Sequence, residues 1–170
     1  MSQTLQTALT HAGQRLSGAG IEDSRREARI LLAFVLGIDA LQVSLRLEET
    51  LTAEHSAAFE AALKSRMAHV PMSHILGYRD FYEHRFIVTP DVLDPRPETE
   101  ELVDWIIQSS KVQSKFKILD IGTGSGCIAI ALAKNLPNAQ VFALDVSEQA
   151  LTTAKKNAEK NQVQLSFIHQ

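Results

Sequence analysis

Apolar residues recur along this chain first with a helical period and then with short alternating runs, and the change divides its 170 residues into two parts. Leu5, Ala8, Leu9, Ala12 and Leu16 fall on one helical stripe that Gly18 and Gly20 end. Ser24-Arg25-Arg26-Glu27 has the spacing of a capping box and predicts a second helix through Ala28, Leu31, Leu32 and Val35, stopping at Gly37. A short helix is expected over about residues 39–47. Thr52 then starts another, with Phe59, Ala62, Leu63 and Met67 on one face and Pro71 just past its end. Four small amphipathic helices over residues 1–71 make a compact helical bundle. Residues 72–93 read as a connector with a β-hairpin, in which Phe81-Tyr82 and Phe86-Ile87-Val88 flank a polar turn at Glu83-His84-Arg85. Pro97 is placed to open a helix with acidic early turns, carrying Leu102, Val103 and Ile106 on its packing face. From Lys117 the order is βαβαβ: strands over 118–121, 141–144 and 163–168, with helices over 125–135 and from a Ser147 cap to about 160.

The junction between the first of those strands and its helix carries the chemistry. Asp120-Ile121-Gly122-Thr123-Gly124-Ser125-Gly126 places three glycines at alternate positions after an acid, and a second acid, Asp145, closes the next strand 19 residues beyond the last glycine. This is the layout of a strand–loop–helix–strand cradle for an adenosine-bearing cofactor. A dinucleotide fingerprint is G-x-G-x-x-G. Here the third glycine comes one residue early, and Cys127 stands where that pattern wants glycine. Asp120 should point towards the cleft. At ~4 Å and an effective dielectric of ~20, two unit charges interact by ~4 kcal/mol, which opposes a pyrophosphate and favours an ammonium. S-adenosyl-L-methionine, with an ammonium, a sulfonium and no phosphate, therefore fits better than a dinucleotide. A nucleotide P-loop is excluded because no Gly-Lys-Ser/Thr follows. Asp145 is expected to accept hydrogen bonds from the ribose hydroxyls, a better account given its spacing to the glycines than Asp145-Val146-Ser147-Glu148 simply punctuating the helix that follows. A plain tight turn would account for the glycines less well, since three in five residues are costly in unfolded-state entropy.

Composition narrows the classes that remain. Apolar residues make up 45% and charged residues 22%, as in soluble globular proteins. The net charge is −3, and the first seventy residues hold seven Lys/Arg against eight Asp/Glu, so no basic face suits direct nucleic-acid binding. The single cysteine, Cys127, cannot form an internal disulfide and is expected to be a packed, inert thiol, consistent with a reducing, cytoplasmic setting. The start lacks a basic leader and no apolar run approaches ~18 residues, so secretion and membrane association are not expected. His55, His69, His74 and His84 have no metal-ligand spacing, and no metal is expected.

The glycine turn resembles the first motif of class I S-adenosylmethionine-dependent methyltransferases. Pro95-Arg96-Pro97-Glu98-Thr99-Glu100, together with Leu76-Gly77-Tyr78-Arg79-Asp80-Phe81-Tyr82, resembles the narrower release factor glutamine methyltransferase (HemK/PrmC) family. On residues alone the proline segment is equally a well-capped helix start. The resemblance implies an α/β fold: an N-terminal helical bundle over 1–71 for substrate recognition, a β-hairpin linker over 72–93, and over 94–170 the first βαβαβ half of a Rossmann-like methyltransferase sheet. It implies methylation of the glutamine side-chain amide in the Gly-Gly-Gln loop of class 1 peptide chain release factors. Gly122, Thr123, Gly124, Ser125 and Gly126 would line the cofactor, Asp145 would hold its ribose, and Glu98 and Thr99 would lie near its methionine moiety. Asp94 departs from the apolar residue many members carry, and no contact with the chemistry is expected of it. The family's catalytic Asn-Pro-Pro-Tyr does not occur within these 170 residues, so no catalytic residue is assigned. The expectation is a truncated enzyme portion that does not methylate alone and binds cofactor weakly if at all. Two alternatives are a methyltransferase for nucleic-acid base amines, disfavoured by the absent basic surface, and a non-catalytic docking module.

Overall fold

Most of the early helices begin where a side-chain oxygen can receive an otherwise unpaired backbone N–H. The computed structural model describes residues 3–110 and 115–170. Helix α1 (Leu5–Gly18) starts at Thr4, whose hydroxyl accepts from the Thr7 amide. Helix α3 (Ala40–Leu45) has a full capping box between Asp39 and Gln42, and α4 (Ala53–Met67) is capped by Thr52. Helix α2 (Ser24–Leu36) departs from expectation: its N-cap is Asp23, with no side-chain cap bond. Glu27, the anticipated capping partner, instead takes Arg66 of α4 in a two-pronged ion pair at 2.5 and 3.2 Å. A charge-assisted fork of that kind outweighs a neutral cap. Gly37 ends α2 in the left-handed conformation. Residues expected in the connector form a short helix, α5 (Met72–Leu76), whose Met72 and Ile75 pack against the helical core of Leu5, Leu16, Leu31, Leu32, Val43 and Phe59. The chain divides into two units, Met1–Leu76 and Gly77–Gln170.

The second unit opens with strands β1 (Tyr78–Phe81) and β2 (His84–Ile87), paired antiparallel with Phe81 opposite His84. The turn is Tyr82-Glu83, one residue earlier than the polarity of the segment suggested. Burial sets this register, since it sends both Phe81 and Phe86 into the core, edge to face with ring centroids 6.0 Å apart. Tyr82 and Glu83 both take positive φ, +46° and +64°, as a tight primed turn requires. Helix α6 (Thr99–Ser110) begins two residues after Pro97, where the Arg96 and Pro97 carbonyls accept the first free amides. It buries Val103 and Ile107, whereas Leu102, expected on the packing face, is 45% exposed.

Strands β3 (Phe116–Ile121), β4 (Ala139–Asp145) and β5 (Ser166–His169) form a parallel sheet in the order β3-β4-β5, with crossover helices α7 (Cys127–Asn135) and α8 (Glu148–Lys160). The fold is the anticipated one: a helical N-terminus, a hairpin, and the opening half of a Rossmann-like sheet. Ile118, Val141 and Ala143 pack against Ala129 of α7, while on the opposite face Leu119 and Ile121 are exposed. Strand β5 begins later than its apolar run suggested. Val163 and Leu165 instead pack as a lead-in after Gln162, which has φ +56°.

Candidate cofactor-binding site

The site is the turn that joins β3 to α7. Its first two amides, of Gly122 and Thr123, both donate to the Leu144 carbonyl at 2.8 and 2.9 Å, which ties the turn to the end of β4. The Gly126 amide closes it on the Thr123 carbonyl at 2.8 Å. Gly122, Gly124 and Gly126 have φ of +74°, +54° and +79°, conformations that favour glycine at each point. The three differ in their surroundings. A methyl group added at Gly122 would meet nothing within 4 Å, and one at Gly124 only the Gly122 carbonyl oxygen at 4.0 Å. At Gly126 it would lie 3.1 Å from Cβ of Ala154 on α8 and 3.3 Å from Cδ1 of Ile130. The first two glycines thus leave room for a ligand against the backbone, and the third lets α8 pack closely.

Both acids of the sequence motif reach this turn. Asp120 accepts a hydrogen bond from the Thr123 hydroxyl at 2.7 Å. Burial holds its carboxyl above the usual carboxylate range, a rise opposed by the Thr123 hydroxyl and a backbone bond from Ala129 and reinforced by the nearby charge of Asp145. Asp145 is buried, and its Oδ2 accepts the Gly124 amide while its Oδ1 accepts the Ser147 amide, both at 2.9 Å. The cap of α8 is the Ser147 hydroxyl, which accepts from Ala150. Ser125 is buried beside them, and Cys127 is buried with its thiol pushed up to about 11, chiefly by burial. Glu98 is exposed and Thr99 half-buried at the start of α6. Among the described residues no hydrogen bond joins either of them to the glycine turn, nor does any cluster of three or more His, Cys, Asp or Glu lie close enough to hold a metal. No helix among the described residues is long and apolar enough to cross a membrane.

The hairpin is bound into the same unit by groups that polarity and period do not reveal. At its tip the Tyr82 amide donates to Glu100 at 3.0 Å and the Tyr82 hydroxyl to Asp104 at 2.6 Å. The bond to Asp104, then burial, pushes the phenol up to about 12 from its ordinary 10.0. A phenol raised on folding adds stability that is complete below pH 10 and fades as the pH climbs to about 12. With Tyr78→Phe, which leaves Tyr82 as the one remaining tyrosine of two, ultraviolet titration should give a midpoint near 12 that Asp104→Asn returns towards 10. An unshifted midpoint in both variants would refute the clamp. At the other end Asn157 of α8 binds the backbone of Ile87. The one sequence sign of it is an asparagine in mid-helix, where that side chain is a weak helix former.

A parallel sheet with its crossover helices on one face, and two acids converging on a glycine turn at the strand ends, define a Rossmann-like cofactor-binding unit. Residues 7–77 match the PrmC N-terminal domain, and residues 97–170 match the ribosomal protein L11 methyltransferase (PrmA) family. A release factor glutamine methyltransferase of Flavobacterium psychrophilum is 56% identical over 113 residues, covering 65% of this chain and 40% of that protein. One from Koribacter versatilis is 38% identical over 164 residues, covering 96% of this chain and 59% of the relative. A crystal structure of ribosomal protein L11 methylase from Lactobacillus delbrueckii subsp. bulgaricus aligns with a TM-score of 0.39 at 31% identity, over 44% of this chain and 38% of that one. The chain is similar to the N-terminal portion of release factor glutamine methyltransferases, and spans about half the length of the curated relatives it matches.

Proposed function

We propose that this chain is the helical and cofactor-binding portion of an S-adenosylmethionine-dependent protein-glutamine N5-methyltransferase acting in the cytoplasm on the Gly-Gly-Gln loop of class 1 peptide chain release factors. The observation that carries the cofactor assignment is the convergence of Asp120 and Asp145 on one turn, through Thr123 at 2.7 Å and Gly124 at 2.9 Å. S-adenosylmethionine, when bound, supplies a methyl group activated by a sulfonium. The remaining work falls to the chain. A carboxylate offers about four acceptor sites, so Asp145 keeps capacity for ribose hydroxyls beyond the two amides it already holds. Asp120 supplies negative potential beneath the turn, which suits a cationic donor and opposes a phosphorylated one. The open space at Gly122 and Gly124 suits close backbone approach by a ligand. The resemblance in the proline segment supports Glu98 and Thr99 as neighbours of the methionine moiety. Residues 1–71 would recognise the release factor, 72–93 link, and 94–170 bind cofactor.

The test joins this chain to the C-terminal part of the Flavobacterium psychrophilum relative and supplies tritiated S-adenosylmethionine with a class 1 release factor. Label is expected on the factor and lost when the loop glutamine becomes alanine. Label that survives that change, or none at all from a chimera that binds cofactor, would overturn the substrate assignment.

A further inference from the structure

Asn157 is wholly buried within α8, and every polar atom of its side chain is engaged. Its Oδ1 accepts the Ile87 amide at 2.6 Å, and its Nδ2 donates to the Ile87 carbonyl at 3.0 Å and the Ser125 carbonyl at 2.8 Å. Only this orientation of the carboxamide satisfies all three partners, since an oxygen facing two carbonyls would have nothing to accept. The two bonds to Ile87 reproduce what a neighbouring antiparallel strand offers one residue. The side chain therefore takes the outer edge of β2. One helical turn on, Asn161 donates to the Arg85 carbonyl at 3.3 Å and extends the same edge.

The third bond leaves the hairpin. Ser125 belongs to the glycine turn, and its carbonyl is part of the peptide unit that leads into Gly126, the residue packed on Ala154. We infer that Asn157 is a positioning residue that ties the glycine turn and the hairpin to each other through one carboxamide, so that cofactor affinity depends on a side chain remote from the ligand. The affinity part rests on the cofactor reading above; the tie itself does not.

Amide exchange by nuclear magnetic resonance on the chain as it stands separates the two. Asn157→Asp keeps the acceptor for the Ile87 amide and loses both donors. Ile87 should stay protected in it, while Gly124 and Gly126 exchange at least tenfold faster. Asn161→Ala, which loses the bond to the Arg85 carbonyl and a second to the Asn157 backbone carbonyl but keeps the Asn157 carboxamide, should leave both glycines unchanged. Glycine exchange in Asn157→Asp equal to that of the parent would overturn the tie. Should that variant fail to fold, the unsubstituted chain decides. Scalar couplings across the hydrogen bonds from Asn157 Nδ2 to the Ile87 and Ser125 carbonyls are expected, and a missing coupling to Ser125 overturns the proposal. By calorimetry, S-adenosylhomocysteine should bind at least tenfold more weakly to Asn157→Asp than to Asn161→Ala in the Flavobacterium psychrophilum chimera, and equal affinities would overturn the dependence of affinity on Asn157. A chimera that binds none before substitution defeats the cofactor reading and this affinity claim, and leaves the exchange result to judge the tie.

Discussion

Gly126→Ala should lower the melting midpoint of the Gly77–Gln170 unit by on the order of 10 °C or more. Two costs combine. A left-handed backbone costs a residue with a β-carbon ~1–2 kcal/mol, and this position has φ +79°. The new methyl would also stand 3.1 Å from the Ala154 β-carbon and 3.4 Å from its α-carbon, so helix α8 must shift. Overpacking of that kind costs a further ~1–3 kcal/mol. Gly122→Ala is the matched control, with a similar φ of +74° and open space around it, and only the backbone cost should appear. Ala154→Gly in the Gly126→Ala background should recover part of the loss, because it removes the nearest clashing atom. Calorimetric melting of the four proteins checks this. Equal shifts for the two glycine variants would mean that α8 does not press on the turn.

Asp145→Ala should weaken binding of S-adenosylmethionine by ~2–4 kcal/mol, the worth of two charge-assisted hydrogen bonds. That is a loss of roughly 30- to 1,000-fold in affinity, measured by titration calorimetry on the chimera. The structure adds a second consequence. The buried carboxylate also serves the amides of Gly124 and Ser147, so its removal leaves two donors without partners and should destabilise the unit as well. Asp145→Asn separates these effects. It keeps an acceptor oxygen but loses the charge, and should bind with intermediate affinity. Unchanged affinity in Asp145→Ala would exclude the ribose role.

What could be read from the sequence was local. The glycine turn was legible because its geometry is imposed residue by residue, through left-handed φ at three glycines between an apolar strand and an apolar helix. The helix starts at Thr52 and Ser147 were similarly placed, each cap acting within three residues of itself. What escaped depended on partners distant in the chain. Glu27 looked like a capping residue until Arg66, 39 positions on, offered a stronger bond. The hairpin turn looked polar at Glu83-His84-Arg85, yet pairing Phe81 and Phe86 in one core moved it to Tyr82-Glu83. Leu102 carried the right period for burial but lies to one side of the stripe that Val103 and Ile107 define. Asn157, 70 residues from Ile87, gave only the faint signal of an asparagine where a helix prefers other side chains.

Helix α8 begins three residues after Asp145 and carries Asn157 nine residues into its length, about 14 Å along a stiff rod. Ala150 near its start packs on Val88 and Val92, and Ala154 presses on Gly126. A pull on the acid would therefore be felt along a lever whose far arm grips the hairpin, and the two ends would swing as one.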